Sequence, residues 1–149
     1  MPSRRFRLLG ESALYFGLGQ NIFNTAGHFI TWKCLGRIGL GDYNLKNARA
    51  ELGYASNRRY WGKGLMTEAV KQIIDFSFIN LGMNRIEAVC LPENVASIRV
   101  LQKVGMQFEG VKREYTFVRG KFDDLNSYSL LKREWQKANT KFTNKTTPS

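Results

Sequence analysis

The chain has 149 residues, a formal net charge of +11 and 43% hydrophobic residues. That length fits one domain that buries a core unaided, and that composition excludes a wholly disordered chain. Two cysteines and one histidine exclude a disulfide framework and a histidine-built metal site, so no metal is expected. Taken in chain order, residues 1–28 form a poorly defined segment in which Gly10, Gly17 and Gly19 punctuate aromatic and polar residues without a period. Gly10, Glu11 and Ser12 break the stretch after Arg4, Arg5 and Arg7, so a secretory signal is not expected. No apolar run reaches the ~20 residues of a membrane span. The expected location is therefore cytoplasmic.

Phe29–Trp32 reads as a strand rich in β-branched and aromatic residues, Leu35–Leu40 as a second strand after a tight connection, and residues 42–47 as a turn. Ala50–Ala55 reads as a third strand whose internal Gly53 marks a bulge or a close backbone approach. After a glycine-bearing loop, Met66, Ala69, Val70, Ile73 and Ile74 follow helical spacing, which predicts a helix over 65–81 ended by Gly82. Residues 84–91 read as a strand stopped by Pro92. Asn94 is the cap of a short helix that Gly105 closes. Residues 106–118 and 125–132 read as a hairpin joined through Arg119-Gly120-Lys121. After Trp135 only Ala138 and Phe142 are apolar, so residues 136–149 are expected to fray as a basic tail. The positive residues are spread along the chain, and no zinc-finger spacing or RNA-reading motif accompanies them. A specific nucleic-acid partner is therefore not expected.

The unit with chemical content is strand, glycine loop, helix. A helix N-terminus carries unsatisfied N–H groups and a positive dipole end, and Gly62 and Gly64 let a backbone come close to a phosphate. Lys63 between the glycines fits neither dinucleotide-binding nor triphosphate-binding loops.

Arg59-x-x-Gly62-x-Gly64 resembles the pyrophosphate loop, [RQ]-x-x-G-x-[GA], of the acetyl-CoA-dependent GNAT superfamily of N-acetyltransferases. The resemblance runs from Phe29 to Trp135. It continues through Glu51-Leu52-Gly53-Tyr54, Thr67-Glu68-Ala69, Asn84-Arg85-Ile86-Glu87, Pro92-Glu93-Asn94-x-x-Ser97, Lys103-Val104-Gly105-Met106 and Glu109-Gly110-x-x-Arg113. It is nearest to the branch of ribosomal-protein-alanine N-acetyltransferases. The resemblance implies an α/β (α+β) fold over residues 29–135. Its mixed, mostly antiparallel sheet has splayed fourth and fifth strands and flanking helices, and here lacks the usual first strand and first two helices.

The cosubstrate implied is acetyl-CoA. By the same resemblance Arg59, Tyr60, Trp61, Gly62, Lys63, Gly64 and Leu65 hold its pyrophosphate. Leu52, Gly53 and Tyr54 pair with the pantetheine arm through a bulge that aims an N–H at the thioester oxygen. Asn94 faces the pantetheine or fixes the splay between the two central strands, caps the helix, or does both. Glu51 is the leading candidate base and Ser97 the candidate donor to the leaving sulfur. Each also has a purely structural reading, as a surface carboxylate and as a capping or packing residue. The family's tyrosine in this helix falls at Leu101, and the branch's glutamate falls at Thr116. Glu114, two residues along the strand, is a weaker substitute. His28, Trp32 and Tyr128 read as packing or edge residues. The function expected is direct acetyl transfer to a primary amine, either a protein N-terminus or a small molecule. The alternative is a non-catalytic CoA-binding module, and the expected assembly is a monomer or loose homodimer.

Overall fold

A computed structural model of the chain describes residues 5–9, 13–17, 34–56 and 64–144. The strand expected at Phe29–Trp32, His28, and Arg59 to Lys63 of the loop lie outside the described residues, as do residues 145–149. Among the described residues seven strands form one sheet in the order β1-β2-β3-β4-β5-β7-β6. Two short strands, β1 (Arg5–Leu9) and β2 (Ala13–Gly17), pair antiparallel. They correct the expectation that the poorly defined segment 1–28 lacks a first strand: it supplies two.

β2 continues into an antiparallel meander with β3 (Cys34–Asn44) and β4 (Arg49–Ser56). β5 (Arg85–Cys90) runs parallel to β4 and antiparallel to β7 (Lys121–Leu131), which pairs in turn with β6 (Gln107–Val118). The β6–β7 turn is Arg119-Gly120. Both residues have positive φ, 54° and 78°, as a two-residue hairpin of primed type requires.

The helix α1 (Leu65–Ile79) lies between β4 and β5, and α2 (Val95–Lys103) lies between β5 and β6. The predicted period of α1 is its buried face: Ala69, Val70, Ile73, Ile74 and Phe78 join Ile38 and Leu40 of β3, Ala50 and Leu52 of β4, Ile86 and Ala88 of β5, and Leu101 of α2 in one core. Ser77 also lies in that interior, and its hydroxyl is satisfied by the Ile73 carbonyl at 2.6 Å. α2 ends at Gly105, where φ is 90° and the Met106 N–H returns to the Leu101 carbonyl at 3.0 Å.

The expected fraying after Trp135 is also corrected. Residues Lys132–Asn144 form α3. Its polar sequence hides a tertiary anchor, because Trp135 stacks 5.3 Å from Phe78 and its Nε1 donates to Asp75 at 2.7 Å. No helix among the described residues is long and apolar enough to cross a membrane.

Candidate active site

β4 and β5 touch over only three register positions: Arg49 with Arg85, Ala50 with Ile86, and Glu51 with Glu87. Beyond that rung β4 stays paired to β3 as far as Ser56, and β5 stays paired to β7 as far as Cys90. The two central strands therefore part at Glu51 and Glu87, and each turns an edge without a strand partner toward the opening. Backbone donors and acceptors on such edges need partners from elsewhere. The opening lies beside Leu52, Gly53 and Tyr54.

The expected bulge at Gly53 is not there. Gly53 pairs in regular register with Gly39, and the irregularity sits in β3 between Gly41 and Asn44. β4 thus keeps a strict alternation. Ala50 and Leu52 are buried on the helix side with Tyr54 packed beside them, while Glu51 and Gly53 face the other way. A Cβ at Gly53 or Gly41 would meet nothing within 4 Å among the described residues. Glu51 and Glu87 are both partly buried, and Glu87 accepts from Arg85 Nε at 2.7 Å. Arg85 also pairs with Glu109. The Arg85 guanidinium, with help from the Ser129 hydroxyl, holds the Glu109 carboxyl below the ordinary carboxylate range.

β4 leads into α1 and β5 into α2, and the two strands are parallel, so both helix N-termini open at the same end of the sheet. α1 begins at Gly64, whose φ of 70° is left-handed and whose missing side chain leaves the first turn without a side-chain cap. Among the described residues no side chain caps the first N–H groups of α1. α2 is capped differently, with the Asn94 side chain accepting from the Ser97 N–H at 3.1 Å. This bond is the cap reading of Asn94.

The Ser97 hydroxyl lies 2.7 Å from the Tyr54 hydroxyl, which also reaches the Ser97 carbonyl at 3.2 Å. Burial pushes the Tyr54 phenol up to about 12, against the pull of its bond to Ser97 and with a smaller push from Cys90. Burial likewise pushes the Cys90 thiol up, and the Ser97 hydroxyl pulls it back. Sequence reasoning placed Tyr54 only as part of the edge. Its side chain meets Ser97 across 43 residues, and no local pattern encodes that contact.

Leu101 is fully buried, so the vacancy at the family's tyrosine position is a sealed core site. Glu114 does not share a face with Thr116 as strand alternation would require. Its φ is 45°, inside a register shift between Lys112 and Thr116, and its N–H bonds Asp124 at 2.7 Å. Tyr128 belongs to the core, with Phe108 edge-on at 5.6 Å. Among the described residues no group of three or more His, Cys, Asp or Glu could hold a metal.

A parallel pair that parts midway, with an uncapped helix start after the first strand, is the frame of an acetyltransferase domain. A family model described as the acetyltransferase (GNAT) domain matches residues 17–107. The chain belongs to this family.

It is 43% identical over 105 residues to the uncharacterized N-acetyltransferase p20 of Bacillus licheniformis, covering 70% of this chain and 59% of p20. It is 30% identical over 100 residues to spermidine N(1)-acetyltransferase of Escherichia coli K12, covering 67% of this chain and 54% of that protein. Among solved structures it matches the ribosomal-protein-S5-alanine acetyltransferase of Vibrio fischeri with a TM-score of 0.68 and 27% identity, over 83% of this chain and 63% of the other. The chain thus spans little more than half the length of the curated relatives it matches.

Proposed function

We propose that this chain binds acetyl-CoA in the opening between β4 and β5 and transfers the acetyl group to a primary amine that approaches from the Glu51 face. The observation that carries the reading is the parting of β4 and β5 beyond Glu51 and Glu87. A strand edge left open for Leu52 to Ser56 fits an extended amide-bearing arm, which can pair with it as another strand does. The uncapped first turn of α1 after Gly64 fits a diphosphate, and Arg59 to Lys63, just before it in sequence, add the second glycine and basic charge.

Acetyl-CoA supplies an activated acyl carbon, and the chain has to present the amine unprotonated. Glu51, at the rung where the strands part, is the proposed base, directly or through a water. An α-amine with pKa near ~8 needs less help than a lysine amine near ~10.4. The Glu51 carboxylate favours an acceptor that arrives as an ammonium ion. Protein N-termini and small polyamines both satisfy that chemistry, and relatives named for each occur. Leu52, Gly53 and Tyr54 act as the edge, and Asn94 holds the α2 turn that carries Ser97.

A thermal-shift screen with CoA and acetyl-CoA tests the reading. Ligand at about 100 times its Kd stabilises the fold by ~2.7 kcal/mol. The variant Gly62→Asp/Gly64→Asp, checked for folding by circular dichroism, loses the shift because carboxylates repel the phosphates. An equal shift in this variant counts against the loop. Binding without thiol release, with any amine in a panel, reduces the chain to a CoA-binding module.

A further inference from the structure

Three polar groups meet on the helix side of the sheet, where β4 and β5 have separated. They are Tyr54 of β4, Cys90 at the end of β5, and Ser97 in the first turn of α2. Tyr54 joins two elements that no strand pairing joins at this level. Its hydroxyl touches Ser97 Oγ at 2.7 Å and the Ser97 carbonyl at 3.2 Å. The phenol has one proton, and so does the serine hydroxyl, which also accepts.

Two arrangements are therefore open. In one, Ser97 Oγ donates to Tyr54 and Tyr54 donates to the Ser97 carbonyl. In the other, Tyr54 donates to Ser97 Oγ, and the serine proton is released toward the opening. Passing from the first to the second gives up only the longer of the two bonds. The Ser97 N–H is already committed to Asn94, so its hydroxyl, which also faces the Cys90 thiol, is the group of this residue that can redirect a proton.

We infer that Tyr54 is a positioning residue for Ser97, donating to Ser97 Oγ so that the serine hydroxyl proton is directed at the sulfur of bound coenzyme A. The inference rests on the proposed function and adds to it the residue that prepares the leaving group. In the transfer, a C–N bond forms to the acetyl carbon and the C–S bond breaks with its electron pair on sulfur. The proton shed by the amine balances that charge, giving amide and thiol. A donor already aimed at sulfur favours the charged form there. The elevated phenol keeps its proton throughout the working range, so the donor persists as pH rises. Burial keeps Cys90 a neutral thiol, so it adds no negative charge. Leu101, sealed in the core, brings no hydroxyl of its own.

The test uses Tyr54→Phe, Ser97→Ala and the double variant. Binding of CoA and of a CoA analogue lacking the thiol is measured by calorimetry from about pH 7 to 9, across the ordinary thiol pKa of about 8.5. In the wild-type chain, affinity for CoA rises relative to the analogue with pH, because the bound thiolate is favoured. Tyr54→Phe flattens that rise, and so does Ser97→Ala, which leaves the tyrosine in place. With saturating acetyl-CoA, Tyr54→Phe lowers kcat about tenfold with KM unchanged, and the double variant is no slower than Ser97→Ala. An undiminished rise in Tyr54→Phe, or losses of kcat that multiply in full, overturns the role of Tyr54 while leaving CoA binding intact. A wild-type chain that binds no CoA overturns the proposed function and this inference with it.

Discussion

Replacing Leu101 with tyrosine puts a phenol at the position where the resemblance to the family implies one. The structure gives the outcome a sign. Leu101 has no exposed surface and sits in the core that α1, α2 and the central strands share. A tyrosine ring is larger than the leucine side chain, and overpacking a filled core costs about 2 kcal/mol. Its hydroxyl would be buried without a designated partner, which adds about 1–2 kcal/mol. The sum, about 3–4 kcal/mol, is a large share of the ~5–15 kcal/mol that holds a domain folded. At roughly 2–4 °C per kcal/mol for a chain of this size, Tm falls by roughly 10 °C. Urea unfolding followed by tryptophan fluorescence gives the stability, and a thiol-release assay with acetyl-CoA gives the rate. The expected result is a destabilised chain with no gain in turnover. A variant within about 0.5 kcal/mol of wild type that also turns over faster would refute the reasoning, since the phenol would then have found space open to the site.

Two further outcomes follow from single contacts. Asn94→Ala removes the cap on α2 and costs about 1 kcal/mol by urea unfolding. It also weakens CoA binding, because the loosened turn carries Ser97; unchanged CoA affinity would leave Asn94 a cap and nothing more. Glu109→Gln removes a carboxylate whose pKa in the folded chain is depressed by Arg85 and Ser129. Such a group adds stability above its unfolded value of about 4.3 and loses it as pH falls through the lower folded value. With 41% of the Glu109 side chain exposed, the gap between wild type and variant at neutral pH is below about 1 kcal/mol. The gap closes below about pH 4, and one that stays constant down to acid unfolding would contradict this assignment.

What the sequence disclosed follows the physics of periodicity. Helix α1 was legible because Ala69, Val70, Ile73 and Ile74 bury one stripe, and the β6–β7 turn because Arg119-Gly120 separates two strand-like runs. α3 was not, because Trp135 holds it through Phe78 and Asp75 while its remaining residues are polar. β1 and β2 were not, because their five-residue runs are too short to show a period. The bulge was misplaced for a related reason. A glycine in a strand signals missing bulk, and at Gly53 that bulk is missing from the face beside Glu51 while the ladder to Gly39 stays regular. The edge residues of the site were readable as a motif. The contact between Tyr54 and Ser97 was not, since it arises only when β4 and α2 are brought together.

The same reasoning explains why the site lies at this place in the sheet. β4 has its ladder to β3 and β5 its ladder to β7, so each strand is stabilised on one side whether or not the two meet. Parting them beyond Glu51 and Glu87 therefore costs only the few hydrogen bonds between them, and it leaves open two edges that a chain-like ligand can satisfy. Because the strands are parallel, the parting falls at their carboxyl ends, where α1 and α2 begin. Open backbone edges and helix N-termini are thus brought to one end by connectivity, before any side chain is chosen. The side chains then divide the opening into two faces. Tyr54, Cys90 and Ser97 lie on the helix side, and Glu51 lies on the other, beside Gly41 and Gly53. On the proposed reading, an amine entering from the Glu51 face and a thiol leaving toward Ser97 meet at one acetyl carbon in the gap between the parted strands, within the ~3–3.5 Å that direct transfer requires.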